Sequence, residues 1–326
     1  MKNILVTGGG GYIGSCTCKY LTENGYNVFV LDNYSSSYYQ PSKWVRLYRG
    51  SLSNKKLLKQ IFQEVKILGV IHFAAFWDMK ESIINPGKYY QNNVSDTIML
   101  LNTMIEENVL NIVFSSSCAV YGIPINLPIL ETHPVNPVNT YGQTKLMVEQ
   151  ILDDFSKSYS LNYVSLRYFN AAGADLDGNL GEKHQRETHL IPLVLQTALK
   201  QRKEIKIFGN DHATKDGTCI RDYVHIVDLA QAHMLALEKM FDKQFCDIYN
   251  LGNSIGHSVK EIIEIAQNVT QEHIEYHIIN KRPKEPPILI GSNQKARTEL
   301  EWKPQFQDMK TIIETAWQWH KKQKKD

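Results

Sequence analysis

The chain has 326 residues, with 36 lysines and arginines against 34 acidic residues, 43% hydrophobic residues and 10% aromatics. That balance excludes a disordered, fibrous or membrane-spanning chain, and a formal net charge of +2 is too small for the overall field to recruit nucleic acid or an anionic membrane. Neither a secretory leader nor an apolar run near the roughly 20 residues of a bilayer span is visible, and the five scattered cysteines do not suit a disulfide framework, so a cytoplasmic protein is expected.

In chain order, KNILVT, NVFVLD, GVIHFA and NIVFSSS read as strands buried on both faces. Between them, Tyr12 to Glu23 and Lys88 to Glu107 read as helices. This alternation predicts an α/β fold, a doubly wound parallel sheet of Rossmann type. After RYFNAAGAD the texture changes to a Gly-, His- and charge-rich passage, and a smaller α/β substrate-binding lobe is expected from Asn170. RDYVHIVDLAQAHMLALEKM reads as a helix with an apolar stripe, followed by CDIYNLGN as another buried strand. Both can return to the first sheet, so the expected cofactor domain is 1–169 plus about 225–252, with the lobe formed by 170–224 and about 253–326.

Gly8, Gly11 and Gly14 in TGGGGYIG follow the first strand and open a helix, where backbone can approach a pyrophosphate and the helix N-terminus can meet its charge. Asp32, at the end of the second strand, places a carboxylate where it can accept hydrogen bonds from an adenosine ribose and would repel a 2′-phosphate. NAD is the expected cofactor. Tyr141 and Lys145 are spaced i, i+4, so one helix face carries a phenol beside an ammonium; that cation, and an oxidised nicotinamide, would both favour the phenolate. Ser115, Ser116 and Ser117 end a strand at the sheet edge where open α/β proteins bind ligands.

These residues, together with VIHFAA, YYQNNV, FSSSCAVYG, YGQTKLMVEQIL, GEKHQRETHLIP, IFGNDHATKDGTCIRDYVHIVDLA, NLGNSIGHSV and ELEWKP, resemble the extended short-chain dehydrogenase/reductase family, and within it the UDP-hexose 4-epimerase branch. The resemblance spans nearly the whole chain. It implies Ser117, Tyr141 and Lys145 as the catalytic trio. It also implies a cofactor site of Gly8, Gly11, Tyr12, Ile13, Gly14, Asp32, Asn33, Ser51, Leu52, Phe73, Ala74, Ala75, Asn92, Ser115 and Tyr168, with Tyr141 and Lys145 shared. A UDP-sugar site follows from Asn170, His189, Leu190, Phe208, Arg221, Tyr223, Val259, Arg282, Glu285 and Leu289, beside Ser117 and Tyr141. The implied reaction interconverts UDP-galactose and UDP-glucose by oxidation at C4, rotation of the keto sugar and re-reduction. A homodimer is implied as well, through Lys88 to Glu107 and the helix that carries Tyr141.

The sister 4,6-dehydratases carry an Asp-Glu pair where this chain has Cys118 and Ala119, neither able to do that proton work. UDP-glucuronate 4-epimerase or decarboxylase chemistry, and an idle NAD-responsive regulator on the same fold, remain as alternatives. The chain departs from the family pattern at Gly50-Ser51-Leu52, where Asp is usual at Ser51, at Trp77, where a lysine is usual with Lys80 as a substitute, and at Lys281-Arg282-Pro283-Lys284-Glu285. Leu289 stands where relatives restricted to UDP-glucose and UDP-galactose have tyrosine, and is expected to leave room for N-acetylated sugars. No metal is expected: the spacings around His184, His189, His225 and His233 match neither HExxH nor a finger, and the last two are expected on helix surfaces.

Overall fold

The computed structural model describes residues 2–36, 39, 45–184, 187–282 and 285–324. Pro283 and Lys284, part of the expected Lys281 to Glu285 passage, lie outside them, as do Gln185 and Arg186 within GEKHQRETHLIP.

The first half runs β1 (Asn3–Thr7), α1 (Tyr12–Glu23), β2 (Asn27–Asp32), β3 (Arg46–Arg49), α2 (Lys55–Glu64), β4 (Gly69–His72), α3 (Met79–Ile84), α4 (Pro86–Tyr89), a π-helical turn (Tyr90–Ser95), α5 (Asp96–Glu106), β5 (Asn111–Ser115), α6 (Thr140–Tyr159) and β6 (Asn162–Tyr168). There follow β7 (Asn170–Ala172), α7 (Leu190–Ala198), β8 (Ile205–Phe208), β9 (Ile220–His225), α8 (Ile226–Asp242), β10 (Cys246–Leu251), β11 (Gly256–Ser258), α9 (Val259–Thr270), β12 (Tyr276–Ile279), β13 (Ile288–Leu289), α10 (Gln294–Glu299) and α11 (Met309–Gln323).

Seven strands form one sheet in the order β10-β6-β5-β4-β1-β2-β3, and every neighbouring pair is parallel. Period-two alternation sends Ile4 and Val6 of β1 into a core with Leu21, Leu229 and Leu237 of α1 and α8. Leu5, between them, enters the opposite core with Leu58, Leu101 and Leu152 of α2, α5 and α6. Both faces of the sheet are therefore covered, which is why its strands read as continuous apolar runs. The chain order reverses between β1 and β4, and that switch point opens the crevice in which such sheets bind ligands. In the lobe, β7, β11 and β13 pair around β9, β8 pairs with β12, and α7, α9 and α11 pack a third core around Val194, Ile262 and Ile312.

Three elements differ from the sequence reading. The segment expected as one helix from Arg221 is a strand up to His225 and helical only from Ile226. His225 marks the break: its Nδ1 accepts the Val227 N–H at 3.2 Å and so caps α8. Lys88 to Glu107 is not one regular α-helix but α4, the π turn and α5. Edge strand β3 was not foreseen, because RLYR leaves three of its four residues exposed and carries little apolar pattern. Strand β10 does return to the large sheet, beside β6.

Candidate active site

A single cleft of about 1740 Å³ runs over the carboxyl ends of β1, β2, β4, β5 and β6 and under the lobe. Every residue expected at the catalytic, cofactor or UDP-sugar site lines it. The volume exceeds the 300–1,000 Å³ usual for one small ligand and suits a dinucleotide together with a nucleotide sugar.

The cofactor end is built by backbone. Gly8 has φ +74°, and a Cβ there would lie 2.7 Å from Ala74 N; a Cβ on Gly14 would lie 2.3 Å from the Gly8 carbonyl oxygen. Only glycine permits that turn to close against β4 and α1. The N-terminus of α1 at Gly11 has no side-chain cap and no acidic residue in its first turn, which leaves it suited to an anion. Asp32 is buried, with Oδ2 accepting Gly10 N–H at 2.9 Å and Oδ1 accepting Tyr34 N–H at 2.7 Å. The residues present thus fit a dinucleotide: a glycine cradle, a helix N-terminus and a carboxylate at the end of the next strand. Tyr12 donates to the Gly173 carbonyl at 2.7 Å and so ties this turn to the lobe.

Asn93, which sequence reasoning passed over, fixes the neighbouring loop. Its Oδ1 accepts Phe76 N–H at 2.8 Å, its Nδ2 donates to Phe76 O at 2.9 Å, and it reaches Thr144 Oγ1 at 3.2 Å. Asn92 beside it lines the cleft. The π turn, which packs against α6, is what places these two successive asparagines; such turns recur at functional sites.

At the centre, α6 is capped by Asn139, which accepts Gly142 N–H at 2.8 Å, so Tyr141 lies in the first turn and Lys145 one turn later. Lys145 Nζ donates to Ser115 O at 2.7 Å and lies 5.8 Å from the Tyr141 ring centroid. Burial pushes the Lys145 ammonium down to about 7, opposed by Glu149 one turn further on. Glu149 itself is buried and held by Arg167, through Nε at 2.9 Å and a second bond at 2.6 Å, and by Ser116 Oγ at 2.5 Å. Burial likewise raises the Tyr141 phenol to about 12, with a Ser117 hydrogen bond working the other way. The Lys145 ammonium is turned to the Ser115 carbonyl, at one side of the Tyr141 ring. Tyr168, the expected cofactor neighbour, shares a hydrogen bond with Ser115 Oγ. Cys118 follows Ser117 with its thiol pushed up to about 12 by burial, so it stays protonated.

The lobe side is built by side chains on one another. Arg221 NH2 and Arg282 NH1 reach Glu285 Oε1 at 3.3 and 3.5 Å, and the Arg282 guanidinium lies 3.7 Å above the Phe208 ring centroid. Lys80, expected as a substitute for the cofactor lysine, lines the cleft with its Nζ 5.6 Å over Phe208, on the lobe side. Trp77 is likewise turned to the lobe, packing on His184 and His189 at centroid distances of 4.3 and 5.0 Å. Asn170 donates to Asp222 O at 2.8 Å. Asp222, also missed in sequence, accepts the N–H groups of Asn253, Ser254 and Gly291; its signal was an acid inside a strand. His225 and His233 are fully buried rather than on helix surfaces, and burial lowers both to about 4.

A family model described as GDP-mannose 4,6 dehydratase matches residues 5–315. The chain is 48% identical over 318 residues to a UDP-glucose 4-epimerase of Halalkalibacterium halodurans, covering 98% of this chain and 95% of the relative. The chain belongs to the UDP-glucose 4-epimerase family of extended short-chain dehydrogenase/reductases. Its fold superposes on family structures: a Brucella ovis UDP-glucose 4-epimerase in complex with NAD (TM-score 0.95, 41% identity, 97% and 98% of the two chains) and a Bifidobacterium longum one in complex with NAD+ and UDP (TM-score 0.93, 37% identity, 98% of both).

Proposed function

We propose that the chain interconverts UDP-galactose and UDP-glucose, with NAD as its resident cofactor. The observation that carries the reading is the convergence of Ser117, Tyr141 and Lys145 on the same cleft as the glycine turn and Asp32. Bound NAD supplies hydride-accepting and hydride-donating chemistry at C4 of the hexose. Tyr141 removes the 4-hydroxyl proton and later returns it to the keto oxygen. Ser117 hydrogen-bonds that oxygen, and the Lys145 cation, sustained by Glu149, favours the phenolate once the positive nicotinamide charge is also near. Arg221 and Arg282 are suited to hold the pyrophosphate, because guanidinium forks match phosphate oxygens, with Phe208 as an apolar platform. A firm grip on the diphosphate and a loose one on the hexose lets the keto sugar turn over between the two hydride transfers.

Incubation of the purified protein with UDP-galactose and no added NAD, followed by chromatography, tests this. UDP-glucose is the expected product. Its absence both with and without added NAD would reject the reading and favour UDP-glucuronate or regulatory alternatives.

Acceptance of UDP-GalNAc and UDP-GlcNAc is a second reading, favoured by Leu289. That residue lines the cleft and packs against the cluster of Tyr121, Leu146 and Phe169. Turnover of UDP-GalNAc, abolished by Leu289→Tyr while UDP-galactose turnover persists, is the expected result. We also infer a homodimer through α5 and α6, on which Met99, Met147, Ile151 and Phe155 are only partly buried; light scattering at the mass of one chain would refute it. No described helix is long and apolar enough to cross a membrane, and the five cysteines are free, both compatible with the expected cytoplasmic location.

A further inference from the structure

The loop that leads into α7 carries Glu182, His184, Glu187 and His189, and one donor atom from each lies within 4.8 Å of the other three. Of the four, only His189 is expected at the UDP-sugar site, and neither the epimerisation chemistry nor the cofactor accounts for the other three. Glu182 is 6% exposed, and a single oxygen, Oε1, meets both imidazoles: His184 Nε2 at 3.0 Å, and His189 Nδ1 closer still. Two backbone N–H groups, of Thr188 and His189, fix Glu187 Oε1 at 2.8 Å each. The indole of Trp77 covers both imidazoles, which meet edge-on at a centroid distance of 5.4 Å. From the far side, Trp319 Nε1 donates to the Glu182 carbonyl oxygen at 3.3 Å. The Glu187 carboxylate, both ring planes and the Glu182 backbone are thus held from outside the cluster, as ligands of a metal are.

We propose that Glu182, His184, Glu187 and His189 form a binding site for a divalent transition metal, with zinc as its occupant. Zinc bonds of about 2.0–2.2 Å in a tetrahedron put donor atoms roughly 3.3–3.6 Å apart, so the ion would replace the two hydrogen bonds at Glu182 Oε1, both imidazole nitrogens moving outward from it, and would draw the remaining donors inward from separations of at most 4.8 Å. Two imidazoles with two carboxylates suit zinc, whereas magnesium and calcium prefer sites made of oxygen alone. The two carboxylate charges match the ion's. Four protein donors complete the tetrahedron and leave no open position, which makes the site structural. All four come from one stretch of eight residues, 182–189, so the ion would clamp the loop immediately before Leu190 opens α7. Its role is to brace the cleft wall on which His189 and Leu190 stand, and to hold it against Trp77 from the cofactor side. The motif went unseen in the sequence because Glu-x-His-x-x-Glu-x-His is neither a helical zinc signature nor a finger.

The test uses the full chain with its NAD retained. After chelator treatment and desalting, the protein is titrated with zinc chloride and separately with magnesium chloride. Metal content by plasma mass spectrometry and melting temperature are both read. Stoichiometric zinc that survives desalting, with a rise in melting temperature that magnesium does not produce, is expected, and both are lost in His184→Ala and Glu187→Gln. Zinc that washes out of the wild-type chain overturns the proposal. So does full retention in His184→Ala, or loss in Cys219→Ser, which would move the ion to His212, Cys219 and Glu285, a second cluster of potential ligands. Should His184→Ala fail to fold, cobalt substitution of the wild-type chain decides: a four-coordinate visible band without thiolate charge transfer supports the assignment, and a thiolate band overturns it.

Discussion

The two walls of the cleft are built in different ways. On the cofactor side each functional group stands at the end of a parallel strand or on the helix that follows: the glycine turn after β1, Asp32 at the end of β2, Ser115 at the end of β5, Tyr168 at the end of β6. Sheet topology alone delivers them to one edge. On the lobe side Phe208, Arg221, Arg282 and Glu285 come from β8, β9 and the segment before β13, and they hold one another through ion pairs and a stacked guanidinium. The cofactor wall is thus set by backbone and resists drift, while the UDP wall is set by side chains that a ligand's own charges can rearrange.

Four substitutions sharpen that contrast, in falling order of effect. Tyr141→Phe removes the proton acceptor from a rigid wall, so kcat is expected to drop by about 10²–10⁴ with NAD content unchanged; steady-state rates and the absorbance of released cofactor check both. Arg221→Ala weakens the adaptable wall: KM for the UDP-sugar rises roughly 10- to 100-fold, the scale of one lost charged hydrogen bond, while kcat moves less. Equal losses in kcat and kcat/KM would show that Arg221 acts only in the transition state and would erase the distinction between the walls.

Glu149→Gln tests the electrostatics below the site. Glu149 raises the Lys145 pKa against burial, so its neutralisation lets the lysine lose its proton at a lower pH. The alkaline limb of the kcat profile is expected to move down by on the order of one unit; an unmoved limb would place the effect elsewhere. Ser51→Asp, the smallest change, introduces the acid that the family resemblance implies at this position, and NAD loss on gel filtration is expected to slow about tenfold, near the low end for one hydrogen bond to a charged group.

How much of this was legible follows the same division. The glycine turn, Asp32, Tyr141 and Lys145 announce themselves because their spacing is local and their elements are regular. The sheet was legible for the same reason, apart from β3, whose exposed RLYR lacks apolar alternation. Asn93, Asp222 and Glu149 were silent: each acts by tying segments distant in sequence, and no local period marks such a residue. Trp77 and Lys80 were visible as departures, yet their turn toward His184 and Phe208 depends on how the two halves close, which residue spacing does not encode. The burial of His225 and His233 was hidden likewise, since α8 lies between the sheet and the segment carrying Phe306 and Trp302.

Strand β10 sits at the edge of the large sheet beside β6, although β7, β8 and β9 intervene in the chain. A ribosome releasing this polypeptide therefore delivers six strands of the sheet, then β7, α7, β8, β9 and α8, before the seventh arrives. During that interval the β6 edge, with its row of backbone donors and acceptors, waits for a partner more than 70 residues away. Such long-range closure is slow and leaves an exposed edge open to wrong pairing. Chain synthesis paused or truncated between 170 and 245 should accordingly yield its most aggregation-prone nascent forms.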